Sequence, residues 1–220
     1  MSFGYQVLGF GAFPSRGAPY FIKTGLMFDG SADRLQLKFN EAGNTAQWTY
    51  SVWIKRSAIG SAAEAFFEAR ADGNNTGAIS INSDDLYFQD YDDGVGTPAW
   101  RKQSDAKFPD PTAWMNLVVI NDTSNGTAGD RHRLYVNGVR ITSFSTDTNA
   151  SQGYSSAQGI NSTNPHYIGF SGHSDYVNGL MAECIFLDGV VKTDAGDFGQ
   201  EDGSGVWIPK DPGNISNIAD

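Results

Sequence analysis

Apolar and polar residues alternate along most of this chain with a period of two, and the 3.6-residue period of an amphipathic helix is nearly absent. "WTYSVWIKR" (48–56) sets Trp48, Tyr50, Val52 and Ile54 against Thr49, Ser51, Trp53 and Lys55. That is one face for a core and one for a cover. "GAISINSDDLYFQDY" (77–91) reads as a hairpin turning at Asn82–Asp85, and "WMNLVVIND" (114–122) as a central strand. "HRLYVNGVRI" (132–141) turns at Asn137-Gly138, two residues that tolerate positive φ and so favour a type I′ hairpin. Leu134, Val136, Val139 and Ile141 are then expected in the core, with Trp48, Trp53 and Trp114 also packed inside. "LMFDGSADRLQLKF" (26–39) turns at Asp29-Gly30, and "PHYIGF", "LMAECIFLDG" and "GVWIPK" add further strands. One stretch, "SAAEAFFEARA" (61–71), reads equally as a short helix or as a strand holding Phe66 and Phe67. Strands this frequent, separated by polar loops at 121–130 and 145–164, predict an all-β sandwich or barrel.

Composition narrows the picture. In 220 residues, 40% hydrophobic and 13% aromatic side chains supply one sizeable core. The 26 glycines sit largely in turn pairs such as Asp93-Gly94 and Asp188-Gly189, as many short strands require. A formal charge of −10 repels phosphate backbones and anionic lipid, so neither nucleic acid nor a membrane surface is an expected partner. No apolar run reaches the ~18 residues that a membrane span needs. Cys184 stands alone, which excludes an intrachain disulfide and fits folding in a reducing compartment. No Lys or Arg precedes Arg16, so no signal peptide is expected, and the Asn-x-Ser/Thr matches read as polar surface.

Residues 1–19, "MSFGYQVLGFGAFPSRGAP", follow no clear period. Glycines interrupt Phe3, Tyr5, Val7, Leu8, Phe10 and Phe13, a set too apolar for a solvated tail and too scattered for a core of its own. This reads either as an arm that orders on a partner or as a first strand folded back on its domain. The arm is the reading carried forward, which gives an attachment arm at 1–19, a sandwich at 20–210 and a short tail at 211–220.

Taken in order, "LMFDGSADRLQL", "WTYSVWIKR", "WMNLVVINDTSNGTAGDRHRLYVNGVRITSF" and "HYIGFSGHSDYVNGLMAECIFLDGVV" resemble the LamG-like members of the concanavalin A-like lectin/glucanase superfamily. The resemblance implies a jelly-roll β-sandwich. The opening "MSFGYQVLGFGA" and the closing "EDGSGVWIPKDPG" are similar to LamG-like virion proteins of tailed bacteriophages, especially marine ones. In that group a Gly-rich aromatic tail follows the Trp-Ile-Pro-Lys segment, whereas only "DPGNISNIAD" follows it here. The narrower resemblance implies a virion structural protein made in the bacterial cytoplasm. It would be a capsid decoration or head fibre, with a tail fibre or host-polysaccharide adhesin as the alternative. Its arm would meet major capsid or tail proteins, and it would be a homo-oligomer, a trimer being the common form of such knobs.

Chemistry is sparse. Glucanases of this superfamily carry Glu-x-Asp-x-Glu on one strand, which places two carboxyls on one face about 5 Å apart for a retaining mechanism. Here Glu64 and Glu68 have no Asp between them and Glu183 stands alone, so no enzyme is expected. His132, His166 and His173 fall in loops or at strand starts, where solvated or capping roles are expected, and no nucleophile elbow flanks a serine. For the calcium that the family often binds at the sandwich rim, the candidates are Asp72 and Asn74 in "DGNNTG" and Asp90, Asp92 and Asp93 in "QDYDDG". An EF-hand is rejected because its twelfth position is Ser83. Asp and Asn are also ordinary turn residues, and that reading stands beside the metal one. Sugar recognition needs aromatic platforms near loops; Tyr87, Tyr91, Trp100, Tyr154 and Tyr176 are the candidates, each of which could instead cap the core.

Overall fold

The computed structural model describes residues 20–57, 59–60, 63–92 and 96–215. The proposed arm at 1–19, with its six apolar candidates, and Asp93 lie outside them. The described chain is almost entirely strand and loop, with two single-turn 3-10 helices at Ala128–Asp130 and Pro212–Asn214. Its strands in order are β1 (Leu26–Asp29), β2 (Leu35–Lys38), β3 (Gln47–Arg56), β4 (Glu64–Asp72), β5 (Asn75–Asn82), β6 (Asp85–Asp92), β7 (Trp100–Lys107) and β8 (Met115–Asp122). There follow β9 (His132–Val136), β10 (Val139–Arg140), β11 (Phe144–Thr148), β12 (Pro165–Ile168), β13 (Asn178–Asp188), β14 (Gly199–Glu201) and β15 (Trp207–Pro209).

Two antiparallel sheets form the sandwich, one of six strands ordered β1-β13-β3-β8-β9-β10 and one of seven ordered β11-β7-β6-β5-β4-β12-β2. The alternation of β3 decides its orientation. Trp48, Tyr50, Val52 and Ile54 enter the main core with Phe66, Phe88, Leu117, Val119 and Leu134. β8 is buried on both faces: Leu117 and Val119 face that core, while Val118 and Ile120 face a second cluster with Tyr135, Leu187, Ala195, Phe198 and Ile215. Residues 190–215 therefore lie as a strap over the outer face of the six-stranded sheet. Thr49 fastens it by donating to the Val190 carbonyl at 2.8 Å, and the Trp207 indole donates to Asn116 at 3.2 Å. Ile215, in the segment expected to be a tail, is the last residue of this strap and is buried against the sheet.

The ambiguous stretch is a strand, since Glu64–Asp72 pairs with β5 throughout. Its register shifts between Ala65, opposite Ser80, and Phe67, opposite Ile79, leaving Phe66 as the extra residue of a β-bulge. Both phenylalanines consequently enter the core. Asn137 and Gly138 adopt φ of 48° and 77°, the conformation that a type I′ turn requires. Ser83 and Asp84, at 50° and 68°, do the same between β5 and β6.

Two expectations about burial fail. Val139 is 67% exposed because β10 is the outermost strand and its outer position meets no cover. Trp114 is 39% exposed just ahead of β8, where it lines an apolar slot with Phe21, Trp53 and Trp207. The expected opening strand pair is also divided, because β1 edges one sheet and β2 the other.

Candidate functional site

The outer face of the seven-stranded sheet carries a polar groove of about 380 Å³, built mainly from four consecutive strands. Side chains project to alternate sides of a strand, so the inward positions Ile79, Ile81, Leu86 and Phe88 force their neighbours outward. β5 thus presents Thr76, Ala78, Ser80 and Asn82, β6 presents Tyr87, Gln89 and Tyr91, and β7 presents Arg101. The bulge at Phe66 resets the phase of β4, so that Ala65 and Glu68, three apart, both line the groove, with Arg70 beyond them. Ser171, His173 and Asp175 close one end.

Charge within the groove is zoned. Glu68 is 4% exposed. It accepts from the Arg70 guanidinium at 3.2 Å and the Thr76 hydroxyl at 3.1 Å. Burial pushes its carboxyl up to about 7, against the pull of Arg70 and Thr76. At the other end the Arg101 guanidinium carbon lies 5.9 Å from the Tyr87 ring centroid and 5.6 Å from that of Tyr91. Arg101 also donates from Nη2 to the Tyr91 hydroxyl. Arg101 Nε and Gln89 Oε1 are buried without a hydrogen-bond partner, and the two residues stand directly opposite each other across β6 and β7. The groove thus offers aromatic edges, hydroxyls, an amide and charges of both signs side by side.

Of the five aromatic candidates, the groove brings together Tyr87 and Tyr91. Trp100 is 3% exposed and stacks on His132 at 3.7 Å between ring centroids, so it offers no surface platform. The reason is phase: Trp100 is the inward neighbour of Arg101 on β7. Tyr154 packs against the core and donates its hydroxyl toward Asp90 at 2.9 Å and Asp92 at 3.2 Å. Tyr176 stacks on Phe170 at 4.4 Å, away from the groove. The histidines also depart from expectation. His132 and His166 are buried and held far on the neutral side by loss of hydration, down to about 3 and about 4. Only His173 meets the surface expectation.

The acidic candidates do not converge. Asp72 is exposed in the β4–β5 turn, where it accepts from the Asn74 backbone at 2.8 Å and from the Asn75 amide. That is the turn role open to Asp in any loop. Asp90 and Asp92 are turned toward the 154–157 loop: Asp90 accepts from Tyr154 and Ser156, and Asp92 from the Ala157 backbone at 2.9 Å. Burial pushes the Asp90 carboxyl up to about 7. Among the described residues no three His, Cys, Asp or Glu side chains gather as a metal site. Asp93, the remaining acidic candidate, lies outside the described residues.

Sequence reasoning missed Glu68, Arg70, Gln89, Arg101 and Asp175. The signal for Gln89 lay in the β5–β6 hairpin, whose polar phase must face away from the core. Glu68 carried no such signal, because a bulge is invisible to simple alternation.

Comparison with known proteins agrees with this architecture. The family model described as the concanavalin A-like lectin/glucanases superfamily, of laminin G type, matches residues 29–194. No curated protein sequence matches significantly. Among solved structures, the CBM40 of an IT-sialidase from Ruminococcus gnavus superposes with a TM-score of 0.56 at 12% identity, covering 80% of this chain and 95% of that one. The same module bound to α2,3-sialyllactose gives 0.51 at 10% identity, covering 74% and 89%. The NanB sialidase of Streptococcus pneumoniae (K499G mutant) gives 0.51 at 11% identity, covering 77% of this chain and 27% of that one.

Proposed function

Because the chain belongs to the concanavalin A-like lectin/glucanase superfamily, we propose that it is a non-catalytic glycan-binding domain whose combining site is the groove over β4 to β7. The observation that carries this is the lining itself. Tyr87 and Tyr91 supply aromatic surface, and Gln89, Asn82, Ser80 and Thr76 stand beside them as hydrogen-bonding partners for hydroxyl groups. A groove with a few convergent polar groups is where a ligand gains both contact area and orientation. That a neighbour of the same fold is described as bound to sialyllactose lends support at the level of architecture. Catalysis is not part of the reading, since Glu68 is engaged by Arg70 and Thr76 and the acid at the groove's end, Asp175, by Ser171. On a glycan array the full chain should give saturable binding that Tyr91→Ala abolishes while the melting temperature stays within a few degrees. A blank array for the folded protein would overturn the assignment. Release of reducing ends from a bound glycan would overturn its non-catalytic character.

The setting we infer is the virion of a tailed phage, as a capsid decoration or head fibre. Support comes from the resemblance of the leader and of the Trp-Ile-Pro-Lys segment to phage virion proteins, and a sandwich of this kind suits a knob better than a shaft. Residues 1–19 would join it to its neighbours on the particle, and display in several copies would raise avidity for a polysaccharide. Deleting 1–19 should leave a folded domain missing from purified particles. Its full incorporation would refute the anchoring role.

A further inference from the structure

We propose that the groove takes an acidic glycan, one bearing a carboxylate, and that Arg101 receives the acid group. This rests on the glycan-binding reading and names its ligand class. β4 to β7 carry four cations: Arg70, Arg101, Lys102 and Lys107. Three of them are ion-paired, Arg70 with Glu68, Lys102 with Asp147 and Lys107 with Asp85. Arg101 pairs with no carboxylate among the described residues, in a chain with 25 acids and 15 bases. The nearby acids are directed elsewhere. Asp85 takes Lys107 and the Gln103 amide, and Asp90 is turned into the protein toward Tyr154 and Ser156. The guanidinium is nevertheless positioned with care, against Tyr87 and Tyr91 and tied to the Tyr91 hydroxyl. Such a cation lies ready for an anion from outside.

The groove also discriminates among anions. A planar guanidinium matches a carboxylate fork, and one charge is what this floor can accept. Asp175 lines the same groove, so a dianionic phosphate or a run of sulfates would meet repulsion from it. The unpartnered Gln89 Oε1 stands across the sheet from the unpartnered Arg101 Nε. An acceptor oxygen and an adjacent hydroxyl on one ligand would complete both. Carboxylates flanked by hydroxyls are the defining group of uronic and ulosonic sugars.

Calorimetry with the full chain tests this, using three oligosaccharides of equal length: a uronate, its carboxyl-reduced neutral counterpart and a sulfated analogue. The uronate should bind at least about ten-fold tighter than the reduced sugar, a gap expected for one charge-assisted contact. Arg101→Gln should erase the gap, and Arg101→Lys should restore part of it. Circular dichroism confirms that each variant is folded. Equal binding of acid and neutral sugars, with both lost in Tyr91→Ala, would overturn the acidic class while leaving the glycan site intact. Tighter binding of the sulfated analogue would overturn the carboxylate assignment. No binding of any of the three, together with a blank glycan array, would remove the underlying reading itself.

Discussion

Asp90 shows what one buried carboxyl does to the whole chain. Its folded pKa, about 7, lies above the ordinary 3.8, so the native state holds a proton that the unfolded state releases. Its contribution is complete below pH ~4 and is lost as pH rises through 7, on the order of 4 kcal/mol over that span. His132 and His166 work in the opposite sense. Held at about 3 and about 4 instead of 6.5, they stay neutral in the fold and weaken it as pH falls below 6.5. Asp90→Asn, a neutral isostere, should therefore melt higher than the parent at pH 8, and the gap should close as pH falls to 4. Urea denaturation across that range is the check, and a constant gap would contradict it. Trp100, stacked on His132 in the core, should behave unlike Tyr91: Trp100→Ala should cost about 3–5 kcal/mol of stability. Position by position, the sequence showed Tyr87 and Tyr91 but could not separate them from Trp100. An aromatic residue near a loop reads alike on either face until the strand's phase is known.

At the level of the element, the turn of the β9–β10 hairpin was legible, since Asn137-Gly138 between alternating runs leaves one low-energy turn, although the exposure of Val139 was not. Its surroundings were not. Gly138 at φ 77° also has the Trp207 ring packed against it, so a side chain there would be strained and would push the strap away. Gly138→Ala should lose about 1–3 kcal/mol. The displaced Trp207 would give up its bond to Asn116 and emit at longer wavelength in steady-state fluorescence. Strand β4 was the opposite case. Its two adjacent phenylalanines broke the alternation, and both helix and strand accounted for them until the bulge at Phe66 resolved the phase.

For the molecule as a whole, alternation left a sandwich or a barrel and the LamG-like resemblance implied the sandwich, but neither gave the order of strands. Neighbours such as β1 and β13, or β4 and β12, are far apart in sequence, and no local pattern pairs them. The strap was equally hidden, because Ala195, Phe198, Trp207 and Ile215 are too widely spaced to announce a second cluster. Ending the chain after Gly189 should uncover Val118, Ile120, Tyr135 and Leu187 on the six-stranded sheet. Such a truncation should bind a hydrophobic dye such as ANS and lose its sharp unfolding transition. An unchanged transition would show that the strap adds little.

The floor of the groove comes from β4, β5, β6 and β7, which are neighbours both in the sheet and along the chain. Within these strands Phe66, Phe67, Ile79, Ile81, Leu86, Phe88 and Trp100 pack inward and hold the shape, while their outward neighbours are free of that duty. One uninterrupted cassette can thus be rewritten on its solvent side, even exchanged between relatives, without disturbing the scaffold beneath. A protein facing a shifting coat of surface sugars could change its taste by editing a single short passage.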